Sequence, residues 1–153
     1  MAQEIIYAPF TGTAVPMTQV PDPVFSENHI GQGVAVQPAD GVVVSPADGV
    51  ISALTRTNHA FCVTTDVGTE LLIHIGIDTV KLEGKGFKCY VQKGQRVRRG
   101  DKVMKFDLRL CQKHNLNVIS PCVVISSEEI AAVQPHTGPV KAGQTPILTL
   151  ERT

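Results

Sequence analysis

Thirteen glycines and ten prolines divide this 153-residue chain into short apolar stretches, and that punctuation limits the folds open to it. Between the breaks lie runs of Val, Ile, Leu and Thr of strand length, and no segment carries a long helical period. A chain of this kind builds many short strands joined by tight turns. The punctuation also repeats. Pro38-Ala39-Asp40-Gly41 returns as Pro46-Ala47-Asp48-Gly49, and Val97-Arg98-Arg99-Gly100-Asp101 before Met104 is echoed by Val140-Lys141-Ala142-Gly143-Gln144 before Ile147. In the second pair the glycine can take the positive φ of a tight turn that leads into a strand. The pattern predicts an all-β fold, a compact β-sandwich or barrel with a duplicated motif, in a single domain over residues 1–153. One or two short helices are expected: over 107–116, with Asp107 as N-cap, and over 126–133, where Ser126 and Glu129 have capping-box spacing.

Lys plus Arg and Asp plus Glu balance at 14 each, so the chain lacks the long-range field that draws a protein to nucleic acid or an anionic membrane. The basic run Lys93, Arg96, Arg98, Arg99 and Lys102 has no aromatic stacking platform and reads as a solvated hairpin face. MAQEIIYAPF at the start has neither the basic nor the apolar region of a secretory signal, and no apolar run approaches the roughly 20 residues of a membrane span. A cytoplasmic protein without direct membrane insertion is expected. Cys62, Cys89, Cys111 and Cys122 lack metal-knuckle spacing and read as reduced thiols packed as small apolar groups.

ELLIHIGIDTVKL, residues 70–82, sets His74 inside an otherwise apolar run. Thr65-Asp66-Val67-Gly68-Thr69 separates this run from Phe61-Cys62-Val63-Thr64, which predicts a β-hairpin. With a two- or four-residue loop, opposed residues have numbers summing to 133 and His59 faces His74 directly, with Cβ atoms about 4.5–5.5 Å apart. A three-residue loop would shift the sum by one and put the rings on opposite faces. Alternation turns Leu71, Ile73 and Ile75 into the core and leaves Leu72, His74, Gly76 and Asp78 on the other face, joined by His59 and Phe61. Gly76 would leave room beside His74 for an incoming group. Two imidazoles so placed suit half of a tetrahedral metal site, acid–base catalysis, or a histidine nucleophile supported by its neighbour's N–H. Spacing alone leaves all three open, beside two unrelated strand histidines.

The stretch from Gly68 through His74 to Leu82, with Thr57-Asn58-His59-Ala60-Phe61, closely resembles the glucose-type IIA component of the bacterial phosphoenolpyruvate-dependent sugar phosphotransferase system. Pro21-Asp22-Pro23-Val24-Phe25, Gly31-Gln32-Gly33, Glu83-Gly84-Lys85-Gly86-Phe87 and Gly94-Gln95-Arg96-Val97 look like further landmarks, so the likeness spans nearly the whole chain. What it implies is a β-sandwich carrier that takes a phosphoryl group from the phosphocarrier HPr onto a histidine. The group then passes to a cysteine on the IIB domain of a sugar permease. His74 matches the accepting histidine, phosphorylated at its tele nitrogen, and His59 the supporting one. Thr57 matches the threonine that orients the supporting ring by a hydrogen bond. Asp22 and Asp78 match acidic residues flanking the site, and Val24, Phe25, Ile30, Leu72 and Val80 match its apolar docking rim. No cofactor is implied; zinc would enter only at an interface where a partner's carboxylate completes a ligand set begun by His59 and His74. Some relatives also have regulatory targets. The start of the chain lacks the amphipathic leader that helps some members touch the membrane, so contact by that route is not expected.

Two other readings compete. Val103-Met104-Lys105-Phe106 has the Met-Lys of biotin or lipoyl carriers, but a carrier lysine needs an exposed hairpin tip and this one sits in a strand-like run. A zinc hydrolase built on His59 and His74 lacks a third ligand of suggestive spacing.

Overall fold

In the computed structural model, which describes residues 2–125 and 128–153, short strands dominate as the punctuation requires. The first half of the chain forms β1 (Ala2–Tyr7), β2 (Gly12–Pro16), α1 (Pro23–Ser26), β3 (Gly31–Pro38), β4 (Val42–Val44), β5 (Gly49–Leu54), β6 (Ala60–Thr65) and β7 (Glu70–His74). The second forms β8 (Phe87–Cys89), β9 (Arg96–Val97), β10 (Lys102–Phe106), α2 (Leu108–Lys113), β11 (Ser120–Ile125), β12 (Ile130–Pro135), β13 (Gly138–Val140) and β14 (Pro146–Arg152). Single 3-10 turns lie at Met17–Gln19 and Thr79–Leu82.

Eight strands make one antiparallel sheet in the order β13-β2-β3-β11-β7-β6-β5-β9. Two three-stranded sheets, β1-β14-β12 and β4-β10-β8, share a core with it. Alternating residues from all three fill that core: Phe61, Val63, Leu71 and Ile73 from the large sheet, Leu148 and Leu150 from β14, Met104 and Phe106 from β10. This is a sandwich, as the sequence predicts. The duplication is physical as well: Gly100 and Gly143 turn their chains at φ +88 and +72, and a Cβ on Gly143 would stand 2.9 Å from the Gly100 Cα. The two copies of the turn therefore touch at the residues that lack side chains.

The helix expected over 107–116 forms as α2, with the Asp107 carboxylate accepting from the Leu110 N–H at 3.0 Å. The helix expected over 126–133 does not form. Residues 130–135 are β12, paired with β14 from Ile130↔Arg152 to Pro135↔Leu148, so a long-range strand partner overrides the local helical signal; Ser126 of the expected capping box lies outside the described residues. Lys105 lies within β10 between Val42 and Lys88, away from any hairpin tip, which removes the carrier reading. All four cysteines are free thiols, and no helix among the described residues is long and apolar enough to cross a membrane.

The outer face of the large sheet is not bare. Met17, Val20 and Phe25, from the segment between β2 and β3, pack with Ala35, Ile77, Ile119 and Val123 into a second, smaller apolar cluster that Ile30 and Leu72 flank. His74 stands at its edge.

Candidate functional site

The β6–β7 hairpin turns through three residues, Asp66, Val67 and Gly68. Thr65 N–H donates to the Thr69 carbonyl at 2.8 Å, Gly68 N–H donates to the Thr65 carbonyl at 2.9 Å, and Gly68 takes φ +95. That loop sets the register one step from the expected one: Ala60, not His59, pairs with His74, and Phe61 pairs with Ile73. Phe61 accordingly points into the main core at 1% exposure and is no part of the rim.

The two histidines meet nonetheless, because His59 lies outside β6, where strand alternation no longer applies. Thr55 closes the loop that carries it: its N–H donates to the Ala60 carbonyl and its hydroxyl oxygen accepts from the Ala60 N–H, both at 3.1 Å. Within the loop Asn58 adopts φ +61, which swings the following residue. The His59 carbonyl still accepts from the Ile75 N–H at 2.7 Å, extending the pairing one step beyond the strands. The imidazole centroids end 5.3 Å apart with the rings inclined at 69°.

Each ring is held through Nδ1. His74 Nδ1–H donates to the Gly76 carbonyl at 2.5 Å, and His59 Nδ1 lies 2.7 Å from the Thr57 hydroxyl. Since a carbonyl only accepts, the neutral His74 ring carries its proton on Nδ1 and its lone pair on Nε2. Thr57 can donate to His59 Nδ1, which leaves the His59 proton on Nε2 as a free donor. Among the described residues neither Nε2 has a protein partner. Burial pushes the His74 pKa below its ordinary 6.5, against the opposing pull of the Gly76 carbonyl and the Asp22 and Asp78 carboxylates. His59 is lowered too, by burial and then by His74. Both shifts favour the neutral imidazole.

Gly76 does not leave open room. It is buried at φ +72, and a Cβ there would lie 2.6 Å from Thr79 Cγ2 and 3.1 Å from the Asn117 carbonyl oxygen. The glycine instead allows the backbone to fold its own carbonyl back onto His74. Alternation does not reveal this acceptor; its one sign in the sequence is a glycine two residues after a strand histidine.

The expected rim divides by depth. The Phe25 ring lies 5.4 Å from the His74 ring, while Val24 on α1 and Val80 on the Thr79–Leu82 turn are exposed at 42% and 46%. Ile30 and Leu72 are half-buried against the second cluster and serve packing as much as surface. Asp22 caps α1 by accepting from the Val24 N–H at 3.0 Å, and Asp78, at φ +60, starts the turn that carries Val80. Among the described residues no three His, Cys, Asp or Glu side chains cluster to hold a metal; the imidazole pair alone supplies two ligands.

Residues 4–130 match the family described as phosphoenolpyruvate-dependent sugar phosphotransferase system, EIIA 1. The chain is 44% identical over 147 residues to the PTS system glucose-specific EIIA component of Haemophilus influenzae, covering 96% of this chain and 89% of that protein. It is 42% identical over 149 residues to the PTS system N-acetylglucosamine-specific EIICBA component of Klebsiella pneumoniae, covering 97% of this chain but 23% of that longer protein. Among solved structures, glucose permease IIA from Mycoplasma capricolum superimposes with a TM-score of 0.92 at 32% identity, over 99% of this chain and 97% of that one. With fold, coverage and identity in agreement, the chain belongs to the EIIA 1 family and is a component of the sugar phosphotransferase system.

Proposed function

We propose that the chain accepts a phosphoryl group from phospho-HPr on Nε2 of His74 and passes it to a cysteine on the IIB domain of a sugar permease. The observation that carries this reading is the Gly76 carbonyl on His74 Nδ1, which leaves the lone pair on Nε2, the nitrogen without a partner among the described residues. In the first step that lone pair forms an N–P bond as the N–P bond on HPr breaks, returning its electron pair to the donor imidazole. In the second, a IIB thiolate forms an S–P bond and His74 Nε2 regains its lone pair. Phosphoryl transfer asks for in-line placement and charge stabilisation more than for elaborate covalent chemistry. His59, held by Thr57, supplies an Nε2–H donor to the phosphoryl oxygens. Val24, Phe25 and Val80 form an apolar contact that excludes water while the partner is docked, and Asp22 and Asp78 meet basic groups on it. The same two Nε2 atoms would hold zinc only where a partner adds the remaining ligands. Incubation with phosphoenolpyruvate, enzyme I and HPr is expected to label wild-type protein with a base-stable, acid-labile phosphate and to leave His74→Ala unlabelled. Full labelling of His74→Ala would overturn the assignment.

A further inference from the structure

Two fully buried hydroxyls converge on the one backbone unit that follows His74 and its neighbour. The Ile75 carbonyl accepts from the Thr79 hydroxyl, and the Gly76 N–H donates to Ser120 Oγ at 3.0 Å. These are the two ends of a single planar peptide. Ser120 is fixed in turn, because its own proton goes to the Val118 carbonyl at 2.8 Å. The next peptide is held from the same loop: the Ile77 N–H donates to the Asn117 carbonyl at 2.8 Å, so the Gly76 carbonyl at its other end points the opposite way, onto His74 Nδ1. Neither hydroxyl touches the imidazoles, and both are sealed from solvent.

We propose that Ser120 and Thr79 are positioning residues: by clamping the Ile75–Gly76 peptide they aim the Gly76 carbonyl at His74 and fix the ring in the tautomer whose lone pair is on Nε2. The proposal rests on the phosphocarrier reading for its purpose, while the tautomer can be observed without any transfer. Without the clamp, the glycine at φ +72 is free to rotate its peptides, the carbonyl drifts from Nδ1, and the Nε2–H form, which has no lone pair where the phosphoryl arrives, becomes populated. At metal sites, loss of the hydrogen-bonded partner behind a ligating histidine typically costs about 10–100-fold in affinity or activity, and a clamp acting through the peptide is expected at the lower end of that range.

The test is nitrogen-15 NMR of the two imidazoles in the full chain at about pH 8, above the ordinary imidazole pKa, beside labelling by phospho-HPr. Wild type is expected to show protonated-type Nδ1 and lone-pair-type Nε2 shifts at His74. In Ser120→Ala and Thr79→Val both His74 nitrogens move toward averaged values, His59 stays unchanged, and labelling slows about tenfold. Thr79→Ser, which keeps the hydroxyl and loses only the methyl, retains the wild-type shifts and rate. The proposal is overturned by wild-type His74 shifts in folded Ser120→Ala or Thr79→Val, by Thr79→Ser behaving like Thr79→Val, or by an Nε2–H tautomer in wild type. If Ser120→Ala fails to fold, the Thr79 pair decides. Failure of phospho-HPr to label wild type would sink the carrier reading and leave the tautomer result standing.

Discussion

At the residue scale the two histidines differ in what holds them, and this separates the roles proposed for them. A carbonyl fixes the His74 proton, whereas a hydroxyl fixes His59 and can itself turn from donor to acceptor. His59→Gln, which keeps an N–H donor but not the ring, is therefore expected to leave His74 able to take a phosphoryl group from phospho-HPr. Onward transfer to a IIB domain should fall about 10²–10³-fold, the usual cost of one aimed donor at a preorganised anion site. Measuring both half-reactions on one preparation decides this; wild-type rates in both would make His59 a bystander. Protonation gives a second expectation. The His59 and His74 pKa values lie below 6.5 when folded and return to about that value when unfolded, so below pH 6.5 the unfolded chain binds more protons. Stability should thus decline as pH falls through 6.5, while labelling, which needs a neutral Nε2, holds its rate until pH drops toward the lower folded values. Urea midpoints at about pH 7.5 and 5.5 for wild type and the His59→Gln/His74→Gln double variant test it, since the ordinary imidazole pKa falls between them. The double variant should lose less between the two pH values.

At the scale of elements, the hairpin shows how far the sequence could be read. Its existence and its core side at Leu71 and Ile73 were legible from alternation and turn residues, whereas the meeting of its histidines was not, because it depends on His59 lying outside β6. Its register was not legible either. Gly68 can close a loop of two, three or four residues, and the choice shifts every cross-strand pair, which is why a two- or four-residue loop puts Phe61 on the wrong face. The roof of residues 17–30 over the outer face was hidden for another reason: its contacts to Ile119 and Val123 join segments nearly a hundred residues apart, and no local pattern announces them. The roof changes what a substitution in the rim should do. Val80, on an exposed turn, can become Asp with stability altered by no more than about 0.5 kcal/mol, yet a charge buried in an apolar contact should weaken HPr binding about tenfold or more. Leu72→Asp instead places a carboxylate against the second cluster and should cost about 2–3 kcal/mol of stability. Denaturant melts and HPr titrations of both proteins check the pair; equal stability losses would show that Leu72 does not pack as described.

At the scale of the whole molecule, the imidazole pair sits at one end of the hairpin and a charged tie sits at the other. Thr69, five residues and about 16 Å of strand from His74, accepts from Arg152 of β14 and donates to the Glu4 carboxylate of β1. Arg152 also reaches Glu129 at 3.0 Å, and its side chain and that of Glu4 are only 13% and 12% exposed. One guanidinium thus joins β1, β14 and the hairpin tip, linking one three-stranded sheet to the large one across the edge of the core. Removing it strands a largely buried carboxylate, and that desolvation, rather than the net worth of the ion pair, sets the cost. Arg152→Met, which keeps the apolar stem, should lose about 2–3 kcal/mol, a little below the range for fully buried pairs, and lower the melting temperature by about 5–10 °C. Adding Glu4→Gln removes the stranded charge, so the double variant should lose less than the two single losses combined. Labelling of His74 by phospho-HPr at 25 °C should proceed at the wild-type rate in all three proteins, because the Gly76 carbonyl and the Thr57 hydroxyl that hold the two rings lie beyond the far end of β6 and β7. A slowed reaction in folded Arg152→Met would mean that the tie at the tip also shapes the site, and that the two ends of the hairpin do not act separately.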